Sequence, residues 1–223
     1  MKKEPLPKTI HSSWKPYLEP LFQDERMKYI KYQVLSNIEF LPLPEQIFKV
    51  FSMPIDDVKL VILGQDPYPN KGVPNGYAFA VNEDCDVPVS LSNIARELEI
   101  EGFEIDYFSS NWKTLQHWVD QGVFLLNTSL TVKVNKPGSH VNHWSWFTER
   151  VIEILQYKVN PVWMLWGNHA KSYKRLILKV NKDARIVSTA HPAAEAYKEN
   201  AGFYNTNCFT KATDYINLKT IKF

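Results

Sequence analysis

"VKLVILGQDPYPN", residues 58–70, opens with a mainly apolar run and ends in an acid set among prolines. Such a run, without strict alternation, suits a strand covered by helices on both faces, as in a parallel sheet. Gly64 closes it, Asp66 follows, and Pro67 and Pro69 stiffen the backbone behind the carboxylate. Three further runs share its character: "GVFLLN" at 122–127, "PVWMLWG" at 161–167 and "RIVSTAH" at 185–191. Between them lie segments with helical spacing: "SLSNIARELEIEG" from residue 90, with Ser90 or Ser92 as N-cap, "NWKTLQHWVDQG" from 111, "WFTERVIEILQYK" from 146 and "HAKSYKRLILKV" from 169. This alternation predicts an α/β fold, three layers α/β/α around a central, mainly parallel four-stranded sheet. At 223 residues and 44% hydrophobic the chain suits one core. The expected organisation is a single domain over 1–223, with a helical N-terminal region at 1–55 and a core at 56–215.

Bulk properties exclude some classes and leave others open. A formal charge of +2 is too mild to declare a nucleic-acid binder, because such footprints depend on where charges cluster. The 13% aromatic content offers stacking surfaces or simply core. Cys85 and Cys208 lie far apart in sequence, which excludes a four-cysteine metal site in one chain and argues against a disulfide framework. No stretch approaches eighteen apolar residues, and the basic opening lacks an apolar region behind it. The expected setting is soluble, cytoplasmic and away from membranes.

Asp66, Asn127, Asn168 and His191 each stand at or just past the carboxyl end of one predicted strand, the edge where open parallel sheets bind ligands. Singly each has a plain reading: Asn127 as a turn former, Asn168 as a helix cap, His191 as a satisfied loop histidine. Their shared placement argues for a site. The long loops 64–89 and 131–143 add to it, since long loops in compact domains are usually functional.

At these residues the chain resembles the family 1 uracil-DNA glycosylases. "GQDPY" at 64–68 resembles that family's water-activating loop, and "GYAFAV" at 76–81 the segment carrying its stacking phenylalanine. "VPVSLSNI" at 87–94 is similar to its proline-rich DNA loop, and "GVFLLNTSLTV" at 122–132 to its uracil-reading strand. "LWGNHAK" at 165–171 resembles its glycine-serine loop, and "AHP" at 190–192 its histidine loop. Six blocks in order, spanning residues 58–210, are far more specific than any one.

The resemblance implies hydrolysis of the N-glycosidic bond of uracil in DNA, with release of uracil and no metal or cofactor. Asp66 would favour the sugar cation and orient or deprotonate water. His191, as a neutral imidazole, would donate to uracil O2, with the Gln65 backbone N–H beside it. Asn127 would read the base edge, Tyr68 would fill the space beside C5, and Phe79 would stack on the base. Pro88, Ser90, Gly167, Asn168, Ala193 and Tyr197 would hold single- or double-stranded DNA. The same face would take a proteinaceous inhibitor, and the protein is expected to be monomeric. The cations Lys171, Lys174, Arg175, Lys179, Lys182 and Arg185 form either a solvated helix face or a DNA contact.

The chain departs from the pattern in four places. Pro69 stands where the family often has histidine, Asn168 where it has serine, and Ala193 lacks the usual hydroxyl. Glu195 occupies the place of a leucine wedge, and a carboxylate is repelled by phosphates. Tyr197, or another apolar group in a loop about two residues longer than usual, is expected to take over the wedge. Two other readings stay open: a catalytically silent DNA-binding module on this fold, and a glycosidase acting on free nucleosides.

Overall fold

A computed structural model describes residues 5–36, 38–107, 109 and 111–216. The outermost parts of the expected 1–223 domain, residues 1–4 and 217–223, lie outside the described residues. The strands are β1 (Phe40–Leu41), β2 (Leu60–Gly64), β3 (Val123–Asn127), β4 (Val132–Lys133), β5 (Val162–Trp166) and β6 (Ile186–Thr189). The helices are α1 (Lys15–Phe22), α2 (Glu25–Tyr29), α3 (Val89–Ile100), α4 (Asn111–Thr114), α5 (Gln116–Val119), α6 (Val141–Lys158), α7 (Gly167–Ser172), α8 (Lys174–Val180) and α9 (Cys208–Ile216).

The four expected strands form one parallel sheet in the order β3-β2-β5-β6. Every residue of β2, β3 and β5 is buried, which explains their unbroken apolar sequences. On β6, at the edge of the sheet, Ser188 is exposed between buried Val187 and Thr189. One face packs on α6, whose Trp144, Phe147, Val151, Ile152 and Leu155 recur at helical spacing and are all buried.

The N-terminal region is less regular than expected. Beyond α1 and α2 it holds a π turn at Ile30–Val34, four 3-10 turns and strand β1, which pairs antiparallel with β4. Its anchor is aromatic: Trp14 stacks on Phe124 at 5.5 Å, and Phe51 meets Phe124 and Phe147 at 5.7 and 6.0 Å. Burying a large apolar side chain contributes about 1.5–3 kcal/mol, so this cluster fastens the region to the sheet. Five tryptophans, Trp14, Trp118, Trp144, Trp163 and Trp166, are fully buried, so much of the aromatic content is core.

Two helix expectations need correction. α3 starts after Pro88, with no side-chain cap; Ser90 lies in its first turn with its hydroxyl turned to Tyr68, and Ser92 N–H bonds back to Pro88. The segment from residue 111 is two short helices, because buried Leu115 adopts φ 53° between them.

Candidate active site

The carboxyl ends of the central strands open into a cleft of about 340 Å³, lined by Gln65, Asp66, Tyr68, Phe79, Ser90, Asn127, Gly167, Asn168, His169 and His191 among others. Asp66, Asn127 and His191 thus face one cavity. Pro88, Ala193 and Tyr197 stand outside its lining, on segments that border it: Pro88 caps α3, and Ala193 and Tyr197 lie in the turn after His191.

The loop after β2 is fastened to the loop after β3. Thr128 N–H donates to Gly64 C=O at 3.0 Å, while Ser129 N–H and the Thr128 hydroxyl donate to Gln65 C=O at 2.8 and 2.9 Å. Asp66 is held at both oxygens, by Gly138 N–H at Oδ2 (2.5 Å) and by the Gln65 amide at Oδ1 (3.2 Å). Burial raises its pKa above the ordinary value; the two hydrogen bonds and nearby His169 act in the opposite sense.

His191 owes its place to Gly167, which adopts φ 80°; a Cβ there would lie 2.8 Å from His191 Cβ. His191 Nδ1 accepts the Ala193 N–H at 3.1 Å. A nitrogen that accepts carries no proton, so the neutral ring bears its hydrogen on Nε2 and can donate. Burial pushes its pKa below the usual histidine value, which keeps it neutral at pH 7.

Asn127 is buried at the end of β3, directly across from Gly64 in register. The absence of a side chain at Gly64 makes its room: a Cβ there would sit 2.3 Å from Asn127 Oδ1. Tyr68 donates its hydroxyl to Phe79 C=O at 3.2 Å, and burial raises its phenol pKa strongly. The ring is therefore a neutral, fixed wall. Phe79 holds φ 65°, rare for a bulky residue and typical of strain kept at functional sites. Its ring lies 5.2 Å from Trp166 and 5.9 Å from His191.

Glu195 lies on the rim, in the turn after His191. Its carboxylate turns inward, accepting from the N–H groups of Phe203 and Tyr204 at Oε1 and of Ala201 at Oε2. These bonds hold its pKa below the ordinary value although partial burial opposes them. Tyr197 is 87% exposed, which leaves it available for contact. Asn93 ties the two bordering segments together, donating to Pro192 C=O at 2.8 Å and accepting from the Tyr204 hydroxyl at 2.7 Å. In the basic segment Arg185 lies at the opposite end of the sheet, bonded to the carbonyls of Asn160 and Tyr215, and so is structural.

Two cleft neighbours escaped the sequence reading. His169, inside the quoted "LWGNHAK", bonds through Nε2 to Thr128 Oγ1 at 2.7 Å. Gly138 acts through its main chain, which has no signature in sequence. Among the described residues, Glu97, Glu101 and Cys208 are grouped closely enough for a metal ion. Their carboxylates are already occupied: Glu97 accepts from Asn205 and Thr206, and Glu101 from Phe209 and Thr210, at the start of α9. No helix among the described residues is long and apolar enough to cross a membrane.

Residues 51–217 match the model of the uracil DNA glycosylase superfamily. The uracil-DNA glycosylase of Borreliella burgdorferi (strain ZS7) is 41% identical over 215 residues, covering 93% of each chain. The crystal structure of mimivirus uracil-DNA glycosylase superposes with a TM-score of 0.74 at 27% identity, over 86% of this chain and 72% of that one. A mimivirus UNG variant in complex with UGI reaches 0.81 at 24% identity, over 98% and 89%, a likeness that speaks for the fold.

Proposed function

Because the chain belongs to the uracil-DNA glycosylase superfamily, we propose that its cleft excises uracil from DNA with Asp66 and His191 as the catalytic pair. The enzyme is a uracil-DNA glycosylase, a hydrolase of N-glycosyl bonds acting in DNA repair, and it leaves an abasic site. The observation that carries the assignment of roles is the meeting of a carboxylate, a buried amide and an Nε2–H imidazole in one cleft.

Bond cleavage leaves the electron pair on uracil and positive charge on the sugar. Asp66, kept anionic, favours that cation and takes a proton from the water that adds to C1′. His191 Nε2–H donates to O2 as negative charge grows there, without giving up its proton. One well-aimed donor of this kind supplies about 3–4 kcal/mol of barrier lowering. The Gln65 backbone N–H adds a second.

Specificity divides between two walls. Asn127 matches the N3–H and O4 edge of uracil and mismatches cytosine, a polar difference worth roughly 10⁴–10⁵ in selectivity. Thymine differs by a methyl group, which a soft pocket rejects by only about 1–3 kcal/mol. Tyr68, clamped by Phe79 C=O and Ser90, supplies rigidity beside C5. Phe79 stacks on the extruded base.

Uracil-containing DNA is gripped by Pro88, Ser90, Gly167, Asn168 and the Ala193–Tyr197 turn, on single or double strands. Rotating a base out costs a few kcal/mol, and an apolar wedge offsets it by filling the stack. Tyr197 is that wedge, because Glu195 is committed to its own loop. The chain acts as one catalytic domain, monomeric and cytoplasmic, without cofactor, and its DNA face is where a proteinaceous inhibitor docks.

The test incubates the protein, Asp66→Asn and His191→Gln with a uracil oligonucleotide, its thymine counterpart and free deoxyuridine. Base release from the uracil oligonucleotide alone, lost in both variants, is the expected result. DNA retardation without release would overturn the catalytic assignment.

A further inference from the structure

The loop from β4 to α6, within the long loop 131–143, reaches the cleft with residues outside the expected set. Asn135 and Gly138 both adopt left-handed backbone, φ 58° and 76°. Both offer their N–H groups to the loop after β2: Asn135 to Pro69 C=O at 2.9 Å, Gly138 to Asp66 Oδ2 at 2.5 Å.

We propose that this loop is a built-in clamp on the catalytic carboxylate, with Gly138 as a positioning residue that sets the orientation and charge of Asp66 before DNA binds.

Three features support it, and it rests on the role of Asp66 proposed above. First, the other donor to Asp66 is the Gln65 amide, on an exposed residue that is itself part of the clamped loop. A flexible side chain fixes a carboxylate less firmly than a main-chain donor from a separate element. Second, the loop is braced at both ends. Val132 pairs with Leu41, Val134 N–H bonds to Glu39, and the Ser139 hydroxyl accepts from Lys133 N–H. At the far end buried His140 meets Thr131 Oγ1 at 2.9 Å, and Trp144 Nε1 donates to the same oxygen at 2.7 Å. The N-terminal strand β1 therefore supports the active centre. Third, a side chain at Gly138 would find only the Gln65 amide within reach, at 3.7 Å, so glycine is kept there for its backbone.

The titrating neighbours of Asp66 are His169 on α7 and His191 across the cleft; burial depresses both pKa values, which leaves Gly138 as a donor at neutral pH when these rings are uncharged. A hydrogen bond to a carboxylate stabilises the ionised form, and its loss raises the midpoint by about one to two pH units.

The decisive measurement follows the protein by NMR without substrate. The Asp66 carboxyl carbon and the Gly138 amide proton are expected to titrate with one shared midpoint, and the Gly138 response to vanish in Asp66→Asn. A Gly138 amide indifferent to that titration would overturn the proposal. Replacing Gly138 by glycolic acid, a backbone ester lacking this N–H, is expected to raise the Asp66 midpoint and lower kcat about tenfold or more with KM held; Gly138→Asn, which keeps the N–H and suits positive φ, is expected to keep the Asp66 midpoint of the parent. An unchanged Asp66 midpoint in the ester would refute the clamp. Failure of the parent protein to release uracil would instead count against the assigned reaction, and the NMR result would stand apart from it.

Discussion

Gly64→Ala is a one-methyl perturbation aimed at the Asn127 amide proposed to read the base. Gly64 is the last residue of β2 and lies opposite Asn127 in the parallel register. The added Cβ would fall 2.3 Å from Asn127 Oδ1 and 2.9 Å from Ala78 Cβ. Ala78 is held, since its N–H bonds to Leu125 C=O at 3.0 Å. The amide must therefore yield, and ordinary contact requires a displacement of about 1 Å, a misplacement that costs on the order of 10²-fold in rate. Overpacking adds a stability loss of about 1–3 kcal/mol. The assay is uracil release from an oligonucleotide, with a cytosine oligonucleotide as competitor and thermal unfolding on the same samples. Asn127→Ala in the Gly64→Ala background removes the closer clash and leaves the one with Ala78, so stability recovers in part while activity does not, a non-additive pattern expected of touching residues. A folded Gly64→Ala protein with kcat/KM within a factor of two of the parent would refute the placement of Asn127 as the reading group.

Tyr197→Ala is expected to lower excision from double-stranded DNA by about tenfold, from a stacking contribution of about 1–3 kcal/mol, with little change on single strands; equal losses on both would remove the wedge role. Glu195→Gln weakens the charged acceptor for Ala201, Phe203 and Tyr204, and hydrogen exchange at those amides should quicken about tenfold. His140 is held down to about 4, chiefly by burial and also by His143 and Lys133. The unfolded chain thus binds the proton first as pH falls below about 6.5, and stability drops by roughly 2–3 kcal/mol between there and pH 4. His140→Asn should flatten that decline in thermal unfolding measured at pH 7.5 and pH 4.5.

The parallel sheet was legible because strands covered on both faces must be apolar throughout, and β2, β3 and β5 are. The clustering of Asp66, Asn127 and His191 was legible for a related reason, since the carboxyl ends of parallel strands share one edge. Helix starts were less so: Ser90 reads as a cap, yet Pro88 takes that position and the Ser90 hydroxyl serves Tyr68. Such choices are made by tertiary neighbours, which local preference does not encode. Left-handed Phe79 and the Gly138 N–H leave no trace in residue type, because any residue carries a backbone. Arg185 read as one of a basic run, while its carbonyl partners Asn160 and Tyr215 come from distant segments.

Glu195 owes its role at the rim to its partners as well as to its charge. A carboxylate facing phosphate repels it, but one that accepts several main-chain N–H groups becomes part of the loop. Glu97, on α3, and Glu101, which caps its C-terminus, do the same at residues 205–206 and 209–210. The segment from 195 to 210, which contains no strand, thus satisfies several of its N–H groups with carboxylates in place of a ladder. Since α3 also begins at Pro88 and Ser90, and Asn93 spans to Pro192, both bordering segments are fastened to one helix. A wedge mounted on that assembly need not stand at the position of Glu195. The chain between Glu195 and Ala201, closed by the Ala201 N–H to Glu195 bond, leaves Tyr197 exposed, which is what the proposed wedge requires.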